Sequence, residues 1–101
     1  MTLERYAPEI ARQFQRSIRE ATSDEKRLAL LYLMDGIIKE HNPFFLESFA
    51  EVIPNLFLDI YNRVDRAILK KICKLYKIWE IIFPPVVFQS IADTLLITVR
   101  D

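Results

Sequence analysis

Residues Leu28 to Lys39 read Leu-Ala-Leu-Leu-Tyr-Leu-Met-Asp-Gly-Ile-Ile-Lys, apolar on every side of a helix until Asp35 interrupts them. A helix without a polar face is normally a central one, so the rest of the chain is expected to pack around it. Residues three and four apart share a face. Leu28, Leu31, Tyr32, Asp35, Ile38 and Lys39 therefore line one side, with Leu30, Leu33, Met34 and Ile37 largely on the other. This places a carboxylate between apolar walls. Two readings of Asp35 stay open: a hydrogen bond to a neighbouring helix or a solvent edge, or service to a ligand.

The surrounding sequence supplies the other helices. Pro8 suits a helix start, and Ile10, Phe14 and Ile18 recur on one face from Ala7 to about Ala21, with Arg12, Arg16 and Arg19 turned away. Thr22-Ser23-Asp24-Glu25 has the spacing of a capping box, which predicts a second helix from Thr22 to about His41. Asn42-Pro43 then reads as an N-cap followed by proline at the first helical position. Phe44, Phe45, Leu46, Phe49, Val52 and Ile53 form the next apolar face, and Pro54 predicts a kink or a division before Leu56, Phe57, Ile60 and Tyr61. Asp65 caps a fourth helix, Arg66 to Ile82, with Ile68, Leu69, Ile72, Leu75, Ile78, Trp79 and Ile82 inward. Phe83-Pro84-Pro85 ends it, and a last helix is expected over Val86 to Ile97. The expectation is one all-α domain over 1–101, an array of about five or six helices.

Composition narrows the function classes. With 101 residues, zero formal net charge and a single glycine, the chain has a core-forming length but no glycine-rich phosphate loop. The lone Cys73 makes no internal disulfide and points to a reducing compartment. One histidine and one cysteine make no multi-ligand metal site, and His41 and Cys73 lie on different expected helices without a catalytic signature. Glu47 and Glu51 are spaced i, i+4, which a solvated face explains as well as a carboxylate site does. No enzyme, metal or cofactor is assigned. No secretory signal is read at Met1 to Arg16, and the longest uncharged run, Ile81 to Ala92, is 12 residues, too short to span a bilayer. The charge feature with content is basic: Arg63, Arg66, Lys70, Lys71, Lys74 and Lys77 fall within 15 residues against Asp65 alone. Lys70, Lys74 and Lys77 share a helical face. That stripe is either a solvated surface or a place for phosphate oxygens.

Taken together, Ala7-Pro8-Glu9-Ile10, Tyr32-Leu33-Met34-Asp35-Gly36-Ile37-Ile38-Lys39, Phe57, Val64-Asp65, Lys74-Leu75, Trp79 and Ile82-Phe83-Pro84 resemble the CTD-interacting domain (CID) of pre-mRNA cleavage and transcription-termination factors. The resemblance covers about residues 6–88. It implies a right-handed superhelical array related to the VHS fold, and binding of the heptad repeats of the RNA polymerase II C-terminal domain, often serine-phosphorylated, in the nucleus.

By position, the resemblance makes Asp35 the aspartate that hydrogen-bonds the peptide, with Gly36, Lys39, Ile72 and Tyr76 as further peptide-binding positions. On this reading, losing Asp35 weakens binding with little cost to the fold. Gly36 replaces the family's usual serine, Glu40 stands where asparagine is common, and Tyr76 occupies the place of an arginine that contacts phosphoserine in many members. Tyrosine has no guanidinium fork, which leaves Lys70, Lys74 and Lys77 as the candidate phosphate contacts. The family places about two helices before the Ala7 position, one of them a wall of the peptide groove, so the sequence is read as a fragment, as a reduced homologue, or as a chain whose missing wall comes from elsewhere; uncovered apolar faces make a homodimer or another subunit a candidate partner. RNA stays open as a partner. The alternative function is a structural oligomerisation or subunit-assembly module that has lost peptide binding.

Overall fold

The computed structural model describes the backbone of residues 3–100 and the side chains of residues 3–97. A 3-10 turn at Leu3–Tyr6 leads into α1 (Ala7–Glu20), followed by α2 (Asp24–Ile38), α3 (Pro43–Ile60), α4 (Arg66–Trp79), a second 3-10 turn at Pro85–Phe88, and α5 (Ala92–Arg100). Among the described residues there is no strand.

Local chemistry explains most of the boundaries. The Asn42 carboxamide oxygen accepts from the N–H of Phe44 at 2.9 Å, and the Asp65 carboxylate accepts from Ala67 N–H at 3.1 Å, so α3 and α4 start where their caps stand. At α2 the cap is Ser23 rather than Thr22: its hydroxyl accepts from Lys26 N–H at 3.2 Å, and a lysine three residues on cannot complete a capping box. After α2, His41 takes a positive φ of 59°, the left-handed position in which a helix often terminates, and the chain turns directly into the Asn42 cap.

α3 runs unbroken through Pro54. Proline forfeits one backbone bond, but Val52 and Ile53 before it and Leu56, Phe57 and Ile60 after it are all buried, and packing on both turns holds the helix together. α4 ends at Trp79, earlier than the Ile82 its pattern suggested; Ile82 N–H closes a tight turn on Trp79 C=O at 2.9 Å ahead of the two prolines.

α1 lies on α3 through Ala7, Ala11 and Ile18, two small residues that permit close approach, with Phe14 edge-on to Phe49 at 5.8 Å. The aromatic centre of the core is Tyr76, whose ring lies 4.9 Å from Trp79, 5.3 Å from Phe57 and 6.2 Å from Phe88. A buried arginine ties the helix ends together. Arg27 donates from Nε to Ile18 C=O (3.0 Å) and from its terminal nitrogens to Ala21 C=O (2.8 Å) and Asp24 (2.9 Å), while the other Asp24 oxygen accepts from Asp65 N–H at 2.8 Å. The ends of α1 and α2 and the start of α4 meet there.

α2 is not encased on every side. It buries Leu28, Leu31, Met34, Asp35 and Ile38, whereas Tyr32 and Leu33 remain 49% and 59% exposed. Neighbouring helices cover one half of α2. Its uncovered half borders two seams, one against α1 and one against α4.

Candidate functional site

The α2–α4 seam is built around Asp35. The residue is buried, and the indole Nε1–H of Trp79 donates to its Oδ1 at 2.8 Å across the two helices. Lys39, one turn along, places Nζ 2.8 Å from Oδ2. The carboxylate thus bonds a neighbouring helix, the first of the two readings, and each oxygen keeps a second lone pair beyond its one partner. Trp79 itself is fully buried, so its N–H has to find an acceptor and holds the carboxylate in one orientation.

Helical geometry assigns the rims. On α2, Tyr32 and Lys39 lie about 60° and 40° from Asp35, on the side away from α1. Gly36 stands between them, exposed, and a Cβ there would meet no atom within 4 Å. Packing does not demand this glycine; inside a helix it costs about 0.5–1 kcal/mol relative to alanine and leaves the rim bare. On α4, Leu75 and Trp79 form the face toward Asp35. Lys71 lies about 40° and Ile78 about 60° outward from Leu75, and Lys74 about 100°. All three are exposed.

The sequence-assigned residues divide accordingly. Asp35, Gly36 and Lys39 come together on the α2 side of the seam. Ile72 is fully buried beneath it and supports the floor without offering contact surface. Tyr76 is also fully buried, on the α3 side of α4, where its hydroxyl donates to Ile53 C=O at 2.8 Å. Burial above all, reinforced by Cys73 and Asp59, pushes that hydroxyl well above the usual tyrosine range. The structure thus corrects the placing of Tyr76 on the peptide surface: a ring among Phe57, Trp79 and Phe88 has no face left for a ligand.

The lysine stripe divides too. Lys70 and Lys77 lie about 140° and 160° from Leu75, away from α2. Lys77 pairs with Glu80 at 3.2 Å, and Glu80 lines a hollow with Phe88 and Ala92 at the α5 edge of α4. Of the three stripe lysines only Lys74 is near the seam. Tyr32, Lys71 and Ile78 are the seam residues that sequence reasoning left out. Tyr32 and Lys71 stood in the motif and the basic run, but nothing local separates Lys71 from Lys70.

No cluster of three or more metal-ligating side chains occurs among the described residues. Cys73 is buried in α4, and His41 is exposed beyond the end of α2. Among the described residues no helix is long and apolar enough to cross a membrane.

An array of helices with a carboxylate held in one orientation between α2 and α4, beside an exposed tyrosine and lysine, has the make-up of an all-α binding module. The CID domain profile matches residues 1–91, and the chain belongs to the CID family. CID domains are non-catalytic binding modules with a helical superhelix fold, generally known to bind the C-terminal domain of RNA polymerase II. No solved structure matches the chain.

Proposed function

We propose that this chain binds heptad-repeat peptides of the RNA polymerase II C-terminal domain along the α2–α4 seam, in the nucleus, in transcription termination or mRNA 3′-end processing. The observation that carries the reading is Asp35: the position matching the family's ligand-bonding aspartate lies between α2 and α4 with its carboxylate aimed by Trp79. Tyr32 supplies an apolar surface for the peptide, Gly36 lets its backbone approach, and Lys39 neutralises the carboxylate when water is displaced.

Fluorescence anisotropy with a labelled two-repeat peptide tests this. The expected result is saturable binding that Tyr32→Ala weakens about tenfold, near 1.4 kcal/mol, with an unchanged melting temperature because the ring points outward. Absence of saturable binding by the intact chain overturns it.

A second reading, assembly through an apolar face, is favoured by the α1–α2 seam. Ile10, Phe14, Leu30 and Leu33 line a shallow hollow of about 240 Å³ there. Sedimentation equilibrium distinguishes the two: a concentration-dependent dimer abolished by Leu33→Glu supports assembly, and a monomer at all concentrations removes it.

A further inference from the structure

We infer that a hollow between the start of α1 and the first half of α3 is a second binding site, which takes the guanidinium of an arginine side chain on a partner protein and holds it with Glu47 and Glu51 beside Phe44. No residue of α2 or α4 lines this hollow, so the inference stands apart from the peptide reading above.

The 18 residues of α3 include three carboxylates, Glu47, Glu51 and Asp59, and no lysine or arginine. Asp59, near the far end, lies 3.9 Å from Arg19. Glu47 and Glu51 are exposed, and among the described residues neither forms an ion pair. Two like charges one turn apart repel, and both lie past the first turn of α3, beyond reach of the positive end of its dipole. Along α3 itself the pair therefore has no counter-charge.

The two carboxylates line a hollow of about 260 Å³ together with Ser48. Ser48 is 8% exposed, and among the described residues its hydroxyl has no hydrogen-bond partner. A hydroxyl that deep is normally bonded; this one can accept from a donor that enters the hollow. Phe44, 54% exposed, stands one turn before Glu47 and Ser48 on the same helix face. Across from α3, Pro8 brings no N–H to the wall, and Glu4 is tied to the Asn42 carboxamide at 3.0 Å. The resident cation, Arg5, has its guanidinium carbon 5.7 Å from the Tyr6 ring centre and pairs with neither Glu47 nor Glu51. Three carboxylates against this one guanidinium leave the hollow with excess negative charge.

An aromatic face beside two carboxylates suits a planar cation. A guanidinium stacks on the ring while its N–H groups fork to separate oxygens, a geometry an ammonium does not match. Water takes about 30 Å³ per molecule, so the space admits a whole guanidinium with solvent to spare. The three carboxylates here do not make a metal site, since no cluster of metal-ligating side chains occurs among the described residues. Free arginine is a poorer occupant than a peptide-linked one, because its own carboxylate meets the excess negative charge.

The test follows the isotope-labelled whole chain by NMR as the capped tripeptide acetyl-Ala-Arg-Ala-amide is added, with the corresponding lysine peptide and free arginine as comparisons. The expected result is saturable shifts of the Phe44, Ser48 and Glu51 amide signals with the arginine peptide, and weaker binding of the other two ligands. Glu47→Gln or Glu51→Gln should weaken arginine-peptide binding about tenfold and Ser48→Ala about threefold. Glu20→Gln, whose carboxylate lies outside the hollow, should leave it unchanged. Absent shifts, shifts that survive Glu47→Gln/Glu51→Gln, or equal weakening by Glu20→Gln overturn the site. Equal affinity for the arginine and lysine peptides overturns the guanidinium assignment, and tighter binding of free arginine overturns the assignment to a partner protein. A native amide spectrum for each variant shows that the fold is kept; should the double variant lose it, the two single substitutions carry the same comparison.

Discussion

Removing the Asp35 carboxylate is expected to cost folding stability as well as peptide affinity, and the size of the loss follows from its partners. In Asp35→Ala the Trp79 N–H, on a fully buried side chain, loses its 2.8 Å acceptor. An unsatisfied buried donor costs about 1–3 kcal/mol. The Lys39 ion pair adds only a few tenths, about 0.3–0.5 kcal/mol, because the lysine side chain is 54% exposed and well screened. A total near 2 kcal/mol lowers the melting temperature of a domain this size by roughly 8–16 °C. Truncating either partner also changes packing, so the clean quantity is a double-mutant cycle with Trp79→Phe, followed by urea unfolding with circular dichroism. The coupling between Asp35 and Trp79 is expected at about 1.5–3 kcal/mol, the range for a hydrogen bond to a charged group. Coupling below about 0.5 kcal/mol, with Asp35→Ala as stable as the native chain, would refute the clamp and leave Asp35 a residue that serves only the ligand.

Arg27→Ala should destabilise the fold by about 3–5 kcal/mol, since it removes a buried cation bonded to Ile18, Ala21 and Asp24 and leaves the two carbonyls without their donor, while Asp24 keeps the Asp65 N–H; Arg27→Lys should recover only part, and denaturant midpoints measure both. Tyr76 gives a pH dependence. Its hydroxyl is held protonated in the folded chain while the unfolded one titrates near the ordinary value of 10.0, so the stability it contributes is complete below that pH and is lost as pH rises beyond it. Above pH 10 the native chain should lose about 1.4 kcal/mol per pH unit more than Tyr76→Phe in unfolding titrations, and parallel curves would contradict the burial of that hydroxyl.

How much of the site was legible varies with the range of the interaction behind it. Asp35 stood out because a carboxylate in an apolar helix is costly, and Gly36 entered only through its place in the family motif. Neither signal reveals that the carboxylate's partner is Trp79, 44 residues away in sequence. Tyr76 matched a binding position by alignment. Its side chain went inward because tyrosine can lie among Phe57, Trp79 and Phe88 with one hydroxyl bond, while arginine at that place would need an outlet for its charge.

By itself, the sequence determined the helical class, the beginnings of α3 and α4, and the identity of Asp35 as an unusual residue. These depend on groups within one turn of each other, such as the Asn42 and Asp65 caps and the spacing of apolar side chains. Tertiary structure decided that Pro54 bends no element apart, that Ser23 and not Thr22 caps α2, that Tyr76 faces in and Ile78 out, and that Lys71 rather than Lys70 borders the seam. Residues at the boundary of a helix face have no preference of their own. Which side becomes buried depends on where the neighbouring helices lie, and that is settled only when the apolar surfaces of α1, α3 and α4 close on one another.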